Sequence, residues 1–154
     1  MIGIVIVAHG GLAREYLAAV EHVVGHQPGI LAISIDAEHD RASKQSEICD
    51  AADSVDEGDG VVVVTDMFGG SPSNLALRAC AQDNRRILYG ANLPLLVKLA
   101  KSRHIDVEDA VRAAHAKTSA QPMPSPRRTR SMPDDAFPIS PLSIRALSTA
   151  NCGP

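Results

Sequence analysis

A histidine and an aspartate, each at the end of an apolar segment, are the residues of this chain best suited to chemistry. His9 follows the apolar run Ile2–Ala8, and Asp66 ends a second run that begins at Val61. A histidine nucleophile needs one ring nitrogen unprotonated, while an acceptor holds the N–H of the other nitrogen and fixes the tautomer. The Asp66 carboxylate is the natural acceptor, and it would stabilise the positive ring that appears during group transfer. We therefore expect His9 and Asp66 to form a catalytic pair.

Small residues follow both of these side chains, where backbone N–H groups can approach an anion closely. The candidates for phosphate binding all lie in the turns that follow the two apolar runs: Gly10, Gly11, Gly69, Gly70 and Ser71. A phosphoryl group on His9 would meet these donors. Each signal is weak alone, because glycine pairs and strand-end carboxylates are common in turns. Their joint occurrence in this order favours a phosphoryl-carrying site.

The other histidines and the cysteines have simpler explanations. His22 and His26 are four residues apart near a helix end and could formally bind a metal, but no third ligand is evident nearby. The remaining histidines are interpreted as solvated or capping residues: His39, His104 and His115. The 3 cysteines are widely spaced and suggest neither a disulfide framework nor a thiolate metal site. We expect no metal and no cofactor.

Alternating strand and helix patterns predict the elements that position the candidate residues. The predicted strands are apolar and rich in β-branched residues: 2–8, 30–35, 61–66 and 87–89. The predicted helices carry apolar residues at helical spacing: 12–24, 42–55, about 72–81, 93–101 and 107–116. Continuously apolar strands belong to sheets that are covered on both faces. The sequence therefore predicts an α/β fold with a mostly parallel central sheet of about four strands and helices on both faces.

The composition changes abruptly near Lys117. Beyond it lie 7 of the 10 prolines, and no apolar periodicity continues. Segments rich in proline and serine do not bury enough apolar surface to order themselves. We therefore predict one domain over residues 1–117 and a disordered C-terminal tail over residues 118–154.

The length and net charge of the chain limit the classes of protein to which it could belong. A chain of 154 residues suits one domain with a substantial core. The net charge of -3 argues against a nucleic-acid partner. The apolar start lacks the basic lead of a signal peptide, and no segment approaches the roughly 20 apolar residues of a membrane span. We expect a cytoplasmic protein with no direct membrane insertion.

Three motif blocks, taken together, resemble the mannose-type EIIA domain of the bacterial phosphoenolpyruvate-dependent sugar phosphotransferase system. The blocks are Ala8–Gly10, Val64–Asn74 and Gly90–Val97, and they occur in the order of that family. The resemblance covers roughly residues 1–117. Phe68 departs from it mildly, because many members have tryptophan there, and the proline-rich tail departs from it strongly.

The resemblance implies a phosphotransferase with a phosphohistidine intermediate. His9 would accept a phosphoryl group from an HPr-type phosphocarrier and pass it to an EIIB-type acceptor. Asp66 would be the partner of the His9 ring, and Ser71 would belong to the loop beside the phosphate. Members of the family are commonly homodimers.

Alternative functions remain open at this point. A regulatory protein could use the same phosphorylation of His9 as a signal that is not coupled to transport. A tetrapyrrole metal chelatase would need a second histidine or glutamate facing His9. It is less favoured, because the Thr-Asp and Gly-Gly-Ser-Pro residues of 65–72 indicate phosphoryl transfer instead. A dinucleotide-binding module is weaker still, since no Gly-x-Gly-x-x-Gly follows the first predicted strand.

Overall fold

The computed structural model describes residues 1–79 and 82–119 and contains four strands and five helices within them. The strands are β1 (Gly3–His9), β2 (Ile30–Ile35), β3 (Val61–Thr65) and β4 (Arg85–Tyr89). The helices are α1 (Leu12–Val24), α2 (Arg41–Ser54), α3 (Ser71–Ala79), α4 (Leu93–Lys101) and α5 (Val107–Ser119). Among these residues, no helix is both long enough and apolar enough to cross a membrane.

Most predicted bounds agree with the observed elements to within one residue, but two differ by more. Strand β4 begins at Arg85, ahead of the apolar run that predicted it, because the Arg85 side chain is buried and paired with Asp53 and Asp56. Helix α5 continues to Ser119, beyond its apolar pattern. The predicted end of α3 near residue 81 and the tail from residue 120 onward lie outside the described residues.

The four strands form one fully parallel sheet in the order β2-β1-β3-β4. The two central strands are the most apolar, since every residue of β3 and all of β1 except His9 is buried. Burial of both faces of a strand explains why these sequences are continuously apolar rather than alternating. The predicted fold class is confirmed.

Helices cover the sheet on both faces and enclose two hydrophobic cores. Alternate residues of β1 point to opposite faces, so Ile4 and Ile6 pack under α1, α4 and α5. Val5 and Val7 belong to the second core, under α2 and α3. His9 lies two residues beyond Val7 and continues this second face.

The chain order creates a crevice between β1 and β3. From β1 the chain crosses through α1 to β2, whereas from β3 it crosses through α3 to β4 on the other side. The two connections therefore diverge at the carboxyl ends of neighbouring strands. Open α/β sheets bind ligands outside the sheet at such switch points. The fold thus places the residues that end β1 and follow β3 at its natural binding position.

Candidate active site

The carboxyl ends of β1 and β3 bring His9 and Asp66 into direct contact. His9 is the last residue of β1, and Asp66 follows Thr65, the last residue of β3. The Nδ1 atom of the His9 ring lies 2.7 Å from Oδ2 of Asp66, and the backbone N–H of His9 donates to the same oxygen at 3.0 Å. The two predicted catalytic residues therefore form one hydrogen-bonded unit.

Asp66 is held as a carboxylate. Burial of the Asp66 side chain would raise its pKa, but hydrogen bonds from the backbone and ring of His9, and from the Met67 N–H, outweigh that effect and lower it. The Met67 N–H donates to the other carboxylate oxygen, Oδ1, at 2.9 Å. Because an ionised carboxylate only accepts hydrogen bonds, Nδ1 of His9 carries the proton. The Nε2 atom is then the unprotonated nitrogen, free to act as a nucleophile.

The other edge of the His9 ring lies against the backbone of Gly70. A Cβ atom built on Gly70 would lie 3.1 Å from Cε1 of His9 and 3.6 Å from Nε2. The ring itself is half exposed, at 48% of the side chain, whereas Asp66 is only 12% exposed. A residue larger than glycine at position 70 would therefore crowd the side from which Nε2 is reached.

A cavity of about 330 Å³ opens beside the ring. Its lining comes from the ends of β1 and β2, the loop after β2 and the start of α3: His9, Gly10, Ile35, Asp36, Ala37, His39 and Ser71. A water molecule occupies about 30 Å³ of liquid, so the cavity has room for a phosphoryl group and several waters. His9 thus borders a space large enough for a phosphoryl group.

Only two of the five predicted phosphate-binding residues line the cavity beside His9. Gly10 and Ser71 line the cavity with His9. The N–H of Gly10, however, donates to the Ile35 carbonyl at 2.9 Å, so this amide is already used and does not face an anion. Gly10 instead supplies a positive φ of 52° that turns the chain away from β1.

The remaining predicted residues shape the two turns. Gly11 is the N-terminal capping residue of α1, and Gly69 adopts a positive φ of 79° just before the start of α3. The Gly70 carbonyl accepts the Asn74 N–H at 3.1 Å, so Ser71 begins the first turn of α3. The first N–H groups of a helix have no partner within it and carry a partial positive charge. The start of α3 therefore adds donors beside the His9 ring.

His39 lies at this site, although its position in a polar loop predicted only a solvated residue. It lines the same cavity as His9. The signal that could have found it is the position of β2 beside β1, because the loop after β2 emerges at the same edge of the sheet. Among the other histidines, His26 pairs with Glu21 at 2.7 Å on the surface.

The rim of the site is apolar and exposed. Phe68 is 76% exposed and Met67 is 53% exposed, and both belong to the turn between β3 and α3. The Phe68 ring packs edge-on against Tyr89 at a centroid distance of 5.0 Å.

A larger cavity of about 700 Å³ lies at the opposite edge of the sheet, near the amino end of β4. Its charged lining mixes acidic residues with one arginine: Asp59, Asp83, Asp106, Glu108 and Arg86. It contains none of the predicted site residues. Over residues 1–79 and 82–119, no group of three or more histidine, cysteine, aspartate or glutamate residues is placed to hold a metal ion.

Comparison with known proteins identifies the family. The family model EIIA-man, described as PTS system fructose IIA component, matches residues 3–117. The mannose-specific EIIAB component of Escherichia coli K12 is 28% identical over 165 residues, which cover 97% of this chain and 51% of that protein. The chain thus spans about half the length of this relative. The fructose-specific EIIA component of Bacillus subtilis is 26% identical over 111 residues, which cover 71% of this chain and 76% of that protein.

Solved structures show the same likeness. The phosphotransferase system component EIIA from Streptococcus agalactiae superposes with a TM-score of 0.69 at 27% identity, covering 77% of this chain and 93% of that one. The PTS IIA protein associated with the fucose utilization operon of Streptococcus pneumoniae has a TM-score of 0.68 at 29% identity, covering 78% and 90%. These matches confirm the resemblance and favour neither the chelatase nor the separate regulatory alternative. The chain belongs to the EIIA family of sugar phosphotransferase systems, the PTS system fructose IIA components, which are phosphotransferases.

Proposed function

We propose that His9 accepts a phosphoryl group on Nε2 from an HPr-type phosphocarrier and passes it to an EIIB-type acceptor. The observation that carries this proposal is the 2.7 Å contact between Nδ1 of His9 and the Asp66 carboxylate, which leaves Nε2 as the free nitrogen. Family membership supports both partners, because EIIA components act between a phosphocarrier and an EIIB component.

In the accepting step, the lone pair of Nε2 forms a bond to phosphorus. The bond between phosphorus and the donor breaks, and its electron pair stays on the donor. The His9 ring becomes positive as this bond forms, with its proton retained on Nδ1. The neighbouring Asp66 carboxylate stabilises that charge. The reverse sequence, with an EIIB-type acceptor as nucleophile, discharges the ring.

The oxygens of the carried phosphoryl group need donors beside Nε2. We assign this role to Ser71 and the first-turn amides of α3, because Ser71 borders the cavity and a helix N-terminus favours anions. Gly70 and Gly69 allow the backbone to come close to the ring. Gly11, at the start of α1, would contribute its backbone amide to phosphate binding.

The remaining features of the proposal come from the family. We propose a carrier domain over residues 1–117, with residues 118–154 outside it, a homodimeric assembly and a cytoplasmic location beside the phosphocarrier. The order of the sheet is compatible with dimers, because β2 and β4 lie at its edges within the described residues. Sedimentation velocity of the full chain would test the assembly.

Label mapping tests the central proposal. The chain is incubated with labelled phosphoenolpyruvate, Enzyme I and HPr, and the labelled residue is identified by peptide mapping. We expect acid-labile label on His9 alone and none on a folded His9→Ala variant. Label that persists in this variant would refute the assignment.

A further inference from the structure

The cavity beside His9 contains a second imidazole, that of His39. The two histidines reach it from different elements, since His9 ends β1 and His39 lies in the loop between β2 and α2. The β2 strand is the direct neighbour of β1, with His9 paired to Ile35 at the last position of the register. The cavity that both histidines line has a volume of about 330 Å³.

Hydrogen bonds hold both His39 and the helix that follows it. The Nδ1 atom of His39 donates to the Asp36 carbonyl at 2.7 Å, so this nitrogen carries a proton. The next residue, Asp40, caps α2 by accepting the Ser43 N–H at 2.7 Å. With Nδ1 committed, Nε2 is the atom of the ring left to meet a ligand.

The charges around the cavity favour a cation at this position. Among the residues that the structure describes, no lysine or arginine lines the cavity. Arg41, the basic residue nearest to His39 in sequence, begins α2 without lining it. The titratable groups in its own loop are carboxylates: Asp36, Glu38 and Asp40. The cavity is also lined by His9, whose ring is paired with Asp66. A phosphoryl group on His9 adds about two negative charges to these surroundings.

We propose that His39 binds the phosphoryl group carried on His9, donating from Nε2 as an imidazolium. This inference rests on the proposed function and adds to it a second side chain that contacts the transferred group. His39 takes no part in bond making: the phosphorus moves from the donor to Nε2 of His9 as described above. Its protonated ring offsets the charge of the bound phosphoryl oxygens through a charge-assisted hydrogen bond.

A consequence is that the phosphorylated state gains stability from protonation of His39. Because an imidazolium donates from both ring nitrogens and a neutral ring from only one, the gain should be present in acidic solution and lost in alkaline solution. The relevant quantity is the equilibrium ratio of phosphorylated chain to phosphorylated HPr, measured between about pH 5 and 8. Comparison of variants at each pH cancels the intrinsic pH dependence of the phosphohistidine bonds.

The experiment compares the wild-type chain with His39→Ala and a matched control, His22→Ala. His22 is an exposed histidine in the last turn of α1 and lies outside the site. We expect His39→Ala to lower the equilibrium ratio about tenfold at the acidic end, consistent with the loss of one hydrogen bond to a charged group. At the alkaline end the two proteins should converge. His22→Ala should follow the wild type throughout.

A third variant tests whether the positive charge of the His39 side chain, rather than its shape, stabilises the phosphorylated state. His39→Arg supplies a permanent cation, so we expect it to exceed the wild-type ratio at the alkaline end and to remove the pH dependence that distinguishes wild type from His39→Ala. Circular dichroism at each pH verifies folding. His39→Gln serves as a second neutral variant if His39→Ala unfolds.

The outcomes separate this inference from the proposed function. If the wild type carries label on His9 but the neutral variants match it at every pH, the role of His39 is refuted and the proposed function stands. If the wild type acquires no label on His9, the proposed function fails and the inference fails with it.

Discussion

The Asp66 carboxylate accepts three hydrogen bonds, and two of them come from His9. The ring and the backbone N–H of His9 share one oxygen, while the Met67 N–H occupies the other. A single contact would leave the ring free to rotate about its hydrogen bond. The shared oxygen holds the Asp66 carboxylate against both the backbone and the ring of His9, which restrains the ring.

Replacement of Asp66 by asparagine tests this role at the scale of one residue. The amide would retain an oxygen acceptor but lose the charge that stabilises the positive ring. Loss of the partner that orients a functional histidine typically costs about 10–100-fold, or about 1.4–2.7 kcal/mol, as judged from metal sites. We expect Asp66→Asn to slow transfer from phosphorylated HPr by that order, measured by single-turnover kinetics.

The control for Asp66→Asn is a measurement that shows that the variant is folded. Asp66 follows the strand and lies outside both hydrophobic cores, so the circular dichroism spectrum should match that of the wild type. An unchanged transfer rate in a folded Asp66→Asn protein would show that another group orients His9.

Gly70 sets the space next to the reactive nitrogen. A methyl group there would press on Cε1 of His9 at 3.1 Å and on the Met67 side chain at 3.2 Å. We expect Gly70→Ala to reduce the transfer rate roughly tenfold, because small displacements of a reacting group are costly. The measurement is the same single-turnover assay.

A matched glycine substitution distinguishes crowding from a general effect of added methyl groups. A Cβ on Gly11 would meet no atom within 4 Å, and its φ of -75° suits alanine. Gly11→Ala also keeps the backbone amide, so its transfer rate should stay near that of the wild type. Equal losses in both variants would contradict the steric explanation for Gly70.

At the scale of elements, the third motif block explains how α4 begins. The Asn92 side chain accepts the Leu95 N–H at 3.0 Å and donates to the Gly90 carbonyl at 2.9 Å. One side chain therefore caps the helix and holds the turn that leaves β4. The positive φ of 80° at Gly90 is what lets this turn form directly after the strand.

Removal of this cap should destabilise the protein without touching the site. We expect Asn92→Ala to lower the free energy of unfolding by about 1 kcal/mol, the usual loss for a helix cap. Urea denaturation followed by circular dichroism measures it. Asn92→Asp keeps a capping oxygen and should lose much less. Equal stability of Asn92→Ala and wild type would show that packing of α4 alone determines where the helix starts.

For the whole molecule, the lowered pKa of Asp66 makes stability depend on pH. A carboxylate whose folded pKa lies below its ordinary value of 3.8 stabilises the fold above that pH. The contribution is lost as the pH falls through the folded pKa. The wild type should therefore be more stable than Asp66→Asn at neutral pH, and the difference should shrink as the pH drops below about 4.

Urea unfolding of both proteins at a series of pH values measures that difference. Subtraction removes the effects of the other carboxylates, which titrate in both chains. A difference that stays constant from neutral to acidic pH would mean that the hydrogen bonds from His9 and Met67 do not favour the ionised carboxylate.

The sequence by itself determined the order of elements and led to the prediction that His9 and Asp66 form a pair. The β1 and β3 strands are apolar on both faces, so their composition specified buried parallel strands. In such a sheet the carboxyl ends lie at one edge, so the pattern predicts that His9 and Asp66 share that edge. Their direct contact also depends on the sheet order that places β1 beside β3. The agreement extends to α4, because a cap and a proline in its first turn mark its start locally.

Only the tertiary structure decided the contents of the cavity beside His9. The order β2-β1-β3-β4 places the loop after β2 next to His9, and this order depends on long-range packing that local patterns do not encode. Because of this order, His39 lines the same cavity as His9, although the sequence predicted only a solvated residue. The same strand order explains why the Gly10 N–H donates to the Ile35 carbonyl. A backbone donor shielded from water needs a hydrogen-bond acceptor, and the adjacent strand supplies one.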